Sequence, residues 1–229
     1  MDAHSLTIRP IAHIRSDFPT KFAIPRQSGL APSVKARIEF DPEFAVPEAV
    51  RGLDGFSHIW LIWGFSETVR ENWSPTVRPP RLGGNTRLGV FATRSTFRPN
   101  ALALSSVKLD EVRIVNGKPV LLVSGADLMD GTPIYDIKPY LTTTDCHPEA
   151  RDGFVATSDD YTLEVQVAEN LKDKIDSETL SAICEIVSQD PRPAYQRDPD
   201  RVYGFEFAHH EIRFSVKEQT AYVIAIEQV

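Results

Sequence analysis

Cysteine is almost absent: the 229-residue chain holds only Cys146 and Cys184. Two are too few for a disulfide framework, and no second Cys or His sits at ligand spacing around Cys184, which excludes a cysteine-built zinc site, so no metal is expected. A reduced, cytoplasmic compartment is the simplest expectation. Cys184 lies in an apolar-periodic stretch and reads as a buried, inert thiol. Long apolar runs are missing too. The longest covers positions 59–65, far short of the ~20 residues a membrane-spanning helix needs, so no membrane is expected. Positions 1–17 lack the basic-then-apolar layout of a signal peptide. No Gly-Lys-Ser/Thr phosphate loop supports nucleoside triphosphate hydrolysis, and there is no internal repeat or low-complexity tract. What is present is globular material, 41% hydrophobic and 25% charged, which excludes disorder as the main state.

Charge of one sign is missing locally. Positions 72–109 contain Arg78, Arg81, Arg87, Arg94, Arg98 and Lys108 but no Asp or Glu, so the net −7 divides into +6 there and −13 elsewhere. Averaged, this is a poor polyanion binder. Resolved along its length, it carries a charge dipole whose basic end can attract a polyanion. The alternative is that these arginines pair with acids brought in by the fold.

Short β-branched and aromatic stretches separated by Pro and Gly predict strands over 6–14, 36–40, 58–65, 88–93, 103–109, 112–115 and 119–126. Asn116-Gly117 is the strongest hairpin signal, because both residues tolerate the positive φ of a type I′ turn. Many strands without strand–helix alternation predict a mainly β fold, a barrel or sandwich, over a doubly wound sheet. Residues 1–145 read as this β domain and the polar stretch 146–160 as a linker. Residues 161–229 read as a small α+β C-terminal domain with a strand at 161–168, a helix over 177–188 capped by Asp176 or Ser177, and strands at 212–217 and 221–226. Leu180, Ile183, Cys184 and Val187 repeat at helical spacing, and the Asp190-Pro191 step should stop the helix. His58, inside an apolar strand, reads as a core residue. Trp60, Trp63 and Phe65 read as packing.

Five polar clusters carry the chemistry. Arg78-Pro79-Pro80-Arg81-Leu82-Gly83-Gly84-Asn85 mixes stiff prolines, glycines and guanidinium groups, suiting a loop whose backbone approaches a ligand. Arg94-Ser95-Thr96-Phe97-Arg98-Pro99-Asn100 sets hydrogen-bond donors beside an aromatic, as nucleobase recognition requires. Lys21-Phe22-Ala23-Ile24-Pro25-Arg26-Gln27 reads as a surface turn or a ligand loop. Asp127-Leu128-Met129-Asp130-Gly131-Thr132-Pro133, with Lys138 close by in sequence, reads as a structural turn or as carboxylates placed for proton transfer or ribose binding. Gln189-Asp190-Pro191-Arg192-Pro193-Ala194-Tyr195-Gln196-Arg197 presents Arg192 and Tyr195 stiffly after the helix.

Together with Phe56-Ser57-His58-Ile59-Trp60 and the stretches 89–100 and 136–140, these phrases resemble, in one order over nearly the whole chain, the TsaA-like or TrmO-type tRNA (adenine-N6)-methyltransferases. The resemblance implies a single-sheeted β-barrel with a small C-terminal domain, working as a homodimer. It implies use of S-adenosylmethionine to methylate N6 of the threonylcarbamoyl-modified adenosine at position 37, beside the anticodon of threonine tRNA. Carried onto this sequence, the cofactor site falls on Pro25, Arg26, Gln27, Ser66, Glu67, Arg94, Leu104, Asp127, Leu128, Met129 and Asp130. Contacts to the tRNA anticodon arm fall on Arg78, Arg81, Arg87, Arg98, Arg192, Tyr195 and Arg197. Relatives usually read Asn-Pro-Ile-Gly where this chain has Asn100-Ala101-Leu102-Ala103, so Ala103 is expected to crowd the cofactor if the missing side chain of glycine matters there.

A carboxylate, Asp127, Asp130 or Asp190, is the expected acceptor of the N6 proton. Two other readings fit the motifs: a non-catalytic β-barrel RNA-binding module, and a small-molecule methyltransferase of the same fold.

Overall fold

A computed structural model describes residues 6–67, 72–79, 85–157, 162–193 and 198–229. The period-2 alternation of the first half forms β1 (Ala12–Ser16), β2 (Lys35–Phe40), β3 (His58–Gly64), a short ribbon of β4 (Thr76–Val77) and β5 (Leu88–Gly89), then β6 (Leu102–Val115), β7 (Lys118–Ser124) and β8 (Pro133–Pro139). Six of these close an antiparallel barrel in the order β1-β2-β7-β6-β3-β8. Closure rests on Ala12 opposite Ile134 and His13 opposite Pro133. Alternate residues point inward, and Ile14, Ile38, Ile59, Leu61, Leu121 and Ile134 are fully buried there.

Several expectations change in detail. The first strand is Ala12–Ser16 instead of 6–14; Pro10 lies just ahead of it and has no amide to give a ladder. The stretches 103–109 and 112–115 are one strand, with a register shift between Leu109 and Glu111 that bends it as a bulge does. The 88–93 strand shrinks to Leu88–Gly89 followed by a 3-10 turn, Val90–Ala92. The closing strand β8 was not expected, because prolines at both ends and Asp136 and Lys138 obscure its pattern. Asn116 and Gly117 take φ 51° and 78° in the β6–β7 hairpin, as a type I′ turn requires. His58 is a correction: it is exposed, with its ring Nδ1 3.0 Å from the Oγ of the neighbouring Ser57, because Ile59 takes the inward side. Trp63 and Phe65 do pack, with ring centroids 4.7 Å apart.

The second half adds α1 (Thr142–Asp145), a 3-10 segment Gly153–Thr157, β9 (Glu164–Val167), α2 (Glu169–Lys172), α3 (Ser177–Ser188), β10 (Tyr203–Phe207), β11 (His210–Lys217) and β12 (Thr220–Gln228). The sheet runs β10-β11-β12-β9, with β9 parallel to β12. Helix α3 has the expected bounds. The Asp176 carboxylate accepts the amides of Glu178 and Thr179 at 3.0 and 2.9 Å, satisfying two of the free donors at its start. Strand β10 escaped the pattern because its turn into β11, Ala208-His209 at φ 50° and 60°, lacks the usual Gly or Asn. Cys184 is half-buried and burial pushes its thiol up, in keeping with inertness.

The hydrophobic cluster of this half is not built from it alone. Phe18, Ala23, Ala31 and Val34, between β1 and β2, join Ile183, Ile186, Phe207 and Phe214. Phe18 meets Phe207 at 5.0 Å between ring centroids. The strap 17–34 therefore leaves the barrel, crosses to α3 and returns. No described helix is long and apolar enough to cross a membrane.

Candidate active site

The end of β7 and the strap are pressed together by two glycines. Gly125, at φ 72°, donates its amide to Val34 O at 2.9 Å, and Gly29 N–H donates to Gly125 O at 2.8 Å. A Cβ on Gly125 would lie 3.2 Å from Gly29 Cα, so this approach needs glycine. Ser28, the neighbour of Gly29, is thereby brought near Asp127, and its amide helps to lower the pKa of that carboxyl. From the barrel side, Ser105 Oγ donates to Asp127 Oδ1 at 2.6 Å while accepting from Trp63 Nε1 at 2.9 Å. Burial pushes the Asp127 carboxyl above its ordinary range; the Ser105 hydroxyl, the Arg94 guanidinium and the Ser28 amide pull the other way without winning. Arg94 Nη1 donates to Gln27 Oε1. Arg26 Nη2 donates to the carbonyl of Asp190, at the end of α3, at 3.0 Å. The strap at Arg26 and Gln27, the loop at Arg94, the pair Ser105 and Asp127, and the turn 190–192 are thus brought to one end of the barrel.

The structure separates the Asp127–Asp130 cluster. Asp127 is turned to Ser105 and feels the charge of Arg94. Leu128 is buried in the barrel core, and Met129 O receives the amide and hydroxyl of Thr132 at 3.2 and 2.7 Å. Asp130 is turned to the end of β1, accepting from Ser16 N at 3.2 Å and lying 3.8 Å from Arg15 Nη1. Pro25 is buried. Leu104 keeps its side chain 51% exposed on the outer face of β6, while Ser105 takes the inner one. Ser66 and Glu67 are exposed, and follow Phe65, whose amide donates to Ala101 O at 3.0 Å. Ala103 lies opposite Trp63 and packs against the barrel core, so its methyl group points into the barrel.

Among the basic residues, Arg78 and Arg87 are exposed, Arg87 donating to Thr76 Oγ1 at 3.1 Å. Arg98 donates to the carbonyls of Thr93 and Ser95 at 3.0 and 3.3 Å and so shapes its own loop. Among the described residues, Arg78, Arg87, Arg94 and Arg98 form no ion pair, whereas Lys108 pairs with Asp110 at 3.1 Å. Among the described residues, then, no carboxylate closes on Arg78, Arg87 or Arg98, and Arg94 acts on Asp127 only through its charge. Arg192 holds the Asp190 carboxylate through two bonds of 2.7 and 3.0 Å, with both side chains about nine-tenths buried. Arg81, Tyr195 and Arg197 lie outside the described residues.

Ser105, the Ser28 amide and the Trp63 indole escaped the sequence reading. A usable signal existed for Ser105 alone: a serine on the inward parity of a barrel strand, with Val107 and Leu109, must find a partner there.

The fold and the loop-borne cluster define a class, a small closed β-barrel carrying its polar site where loops from both halves meet. The chain belongs to the TrmO family: residues 13–146 match the tRNA-methyltransferase O N-terminal domain and residues 160–229 the TrmO C-terminal domain. It is 38% identical over 231 residues to the tRNA (adenine(37)-N6)-methyltransferase of Escherichia coli K12, covering 97% of this chain and 98% of that one. It is 42% identical over 206 residues to a putative S-adenosylmethionine-dependent methyltransferase, RcsF, of Pseudomonas aeruginosa, covering 86% and 87%. A crystal structure of TrmO from P. aeruginosa superposes with a TM-score of 0.80 at 31% identity, over 100% of this chain and 99% of that one.

Proposed function

We propose that this chain is an S-adenosylmethionine-dependent tRNA methyltransferase that methylates N6 of adenosine 37, with the threonylcarbamoyl-modified adenosine of threonine tRNA as its substrate, and that it works as a cytoplasmic homodimer. The carrying observation is the convergence of Asp127, Gln27 and Arg94 at one end of the barrel in a chain matched along both halves by this family. A carboxylate, an amide and a guanidinium are the complement of a ligand bearing an amino-acid zwitterion and ribose hydroxyls, so the donor set fits S-adenosylmethionine. When bound, that cofactor supplies a methyl group on a sulfonium, a leaving group that needs no acid from the protein. The protein's contribution is alignment and the exclusion of water.

Within the site, Gln27 and Arg94 hold one another and present donors from the strap and from the arginine loop. Asp127 is the carboxylate best suited to take the N6 proton, since burial already favours its protonated form. Asp190 is committed to Arg192, and Asp130 to the β1 turn. The exposed Arg78 and Arg87 supply phosphate contacts for the anticodon arm, where a splayed single-stranded base can be reached. An RNA-binding module without catalysis would have no use for a half-buried acid held by Ser105.

The deciding experiment is mass spectrometry of anticodon-loop nucleosides from a deletion strain. Loss of the N6-methyl group on the threonylcarbamoyladenosine of threonine tRNA is expected; an unchanged nucleoside profile overturns the reading. Titration calorimetry with S-adenosylmethionine separates enzyme from binding module, which should give no heat.

A further inference from the structure

Helix α3 does more than cover a sheet. Its Glu185 turns toward the strap and accepts both hydrogen-bond donors of Ser33: the amide at 2.7 Å on one carboxylate oxygen and the hydroxyl at 2.7 Å on the other. Ser181 Oγ, one turn earlier on the same helix, lies 3.1 Å from Ser33 Oγ. Ser33 is fixed in turn to the site. The next residue, Val34, is fully buried and its carbonyl takes the Gly125 amide, while the Gly125 carbonyl takes the Gly29 amide. Just before that glycine come Gln27, whose Oε1 accepts from Arg94, and Ser28, whose amide helps to lower the Asp127 pKa. A second tie leaves the end of the same helix, where the Asp190 carbonyl holds Arg26. The segment 26–33 is therefore pinned at both ends by one helix of the C-terminal half.

We propose that Glu185 is a positioning residue for cofactor binding: through Ser33 it holds the strap at the register that presents Gln27 and the Ser28 amide to the site. The C-terminal half then governs S-adenosylmethionine affinity as well as contact with tRNA. A carboxylate serves here because it can accept two donors at once, one per oxygen, and a hydrogen bond to a charged acceptor is stronger than a neutral one. This rests on the reading of the strap as a cofactor loop, given above.

The test uses the full-length chain with E185A, E185Q, S33A and S33T, and reads cofactor Kd by calorimetry, tRNA Kd, kcat at saturating cofactor, and thermal midpoint. Cofactor Kd should rise about tenfold in E185A and S33A, less in E185Q, which keeps one acceptor, and little in S33T, which keeps both donors. Saturating cofactor should restore kcat, and tRNA Kd should stay within about twofold. The double variant E185A/S33A should be no worse than either single one, because both break the same contact. A lowered thermal midpoint with unchanged cofactor Kd overturns the proposal, as does an equal loss of cofactor and tRNA affinity. Should E185A fail to fold, the S33A and S33T pair decides by the same readouts. Q27A is measured alongside: if it too leaves cofactor Kd unchanged, the reading of the strap has failed, whereas a weakened Q27A with normal S33A and E185Q removes the positioning role alone.

Discussion

Ser105 donates to Asp127 at 2.6 Å and accepts from Trp63 at 2.9 Å, so a single hydroxyl on β6 joins the barrel interior to the carboxylate that faces Arg94. That arrangement makes Asp127 sensitive to a residue that need not touch a ligand. Replacing Ser105 by Ala strands the Trp63 indole N–H, which costs about 1–3 kcal/mol of stability. It also removes the strongest influence holding the Asp127 pKa down. The acid limb of the methylation pH–rate profile should therefore move to higher pH in S105A. A limb in the wild-type position would disconnect Ser105 from the titrating group.

Asp127 itself should trade stability for activity. Its folded-state pKa lies above the ordinary value of 3.8 because burial outweighs its hydrogen bonds, so ionisation opposes folding. The penalty is absent at pH below the ordinary value, where both states are protonated, and grows as pH rises through the raised value. Asp127→Asn keeps an acceptor for Ser105 and removes the charge. Calorimetry should find D127N melting above the wild type at pH 7, the gap closing as pH falls toward 4, with methylation lost.

The exposed arginines give a salt signature. Arg78→Glu and Arg87→Glu should each weaken tRNA binding and reduce the slope of log K against log salt by about one per cation removed, with cofactor affinity unchanged. Arg98→Glu should behave differently, lowering both affinities, because Arg98 holds the carbonyls of Thr93 and Ser95 beside Arg94. Filter binding across a salt series distinguishes the two outcomes, and identical slopes in all variants would remove the basic segment from the interface.

Gly125→Ala tests the contact between β7 and the strap. Its φ of 72° costs an alanine roughly 1 kcal/mol, and the new Cβ also meets Gly29 at 3.2 Å. Gly117→Ala in the β6–β7 hairpin has the same backbone penalty at φ 78° but nothing within 4 Å. Both variants should melt lower by a few degrees. Only G125A should also weaken S-adenosylmethionine binding, as measured by calorimetry.

Much of this fold is legible in short-range pattern. The Asn116-Gly117 turn, the helix Ser177–Ser188 with its Asp176 cap and most barrel strands follow from period and turn chemistry, which act over a few residues. Strands β8 and β10 escaped for local reasons, prolines at the ends of one and a glycine-free turn after the other. His58 shows the limit of an apolar neighbourhood as a guide, since strand parity, and not the company it keeps, decides which way a side chain points.

Within the site, residue types and their loops were readable in sequence, and so was the division of −7 into a +6 segment and a −13 remainder. Which carboxylate matters was not. Asp127 and Asp130 stand three positions apart, yet one is held by Ser105 and the other turned to Ser16 and Arg15. The chain by itself determined most strands, the helix Ser177–Ser188, the arginine loops and the family. Tertiary structure alone decided that the strap 17–34 leaves the barrel to share a core with α3, and that Glu185 and Asp190 O pin it there. The reason is physical: these contacts join residues more than 150 positions apart, and no periodicity within a segment records a partner met only when the chain closes on itself.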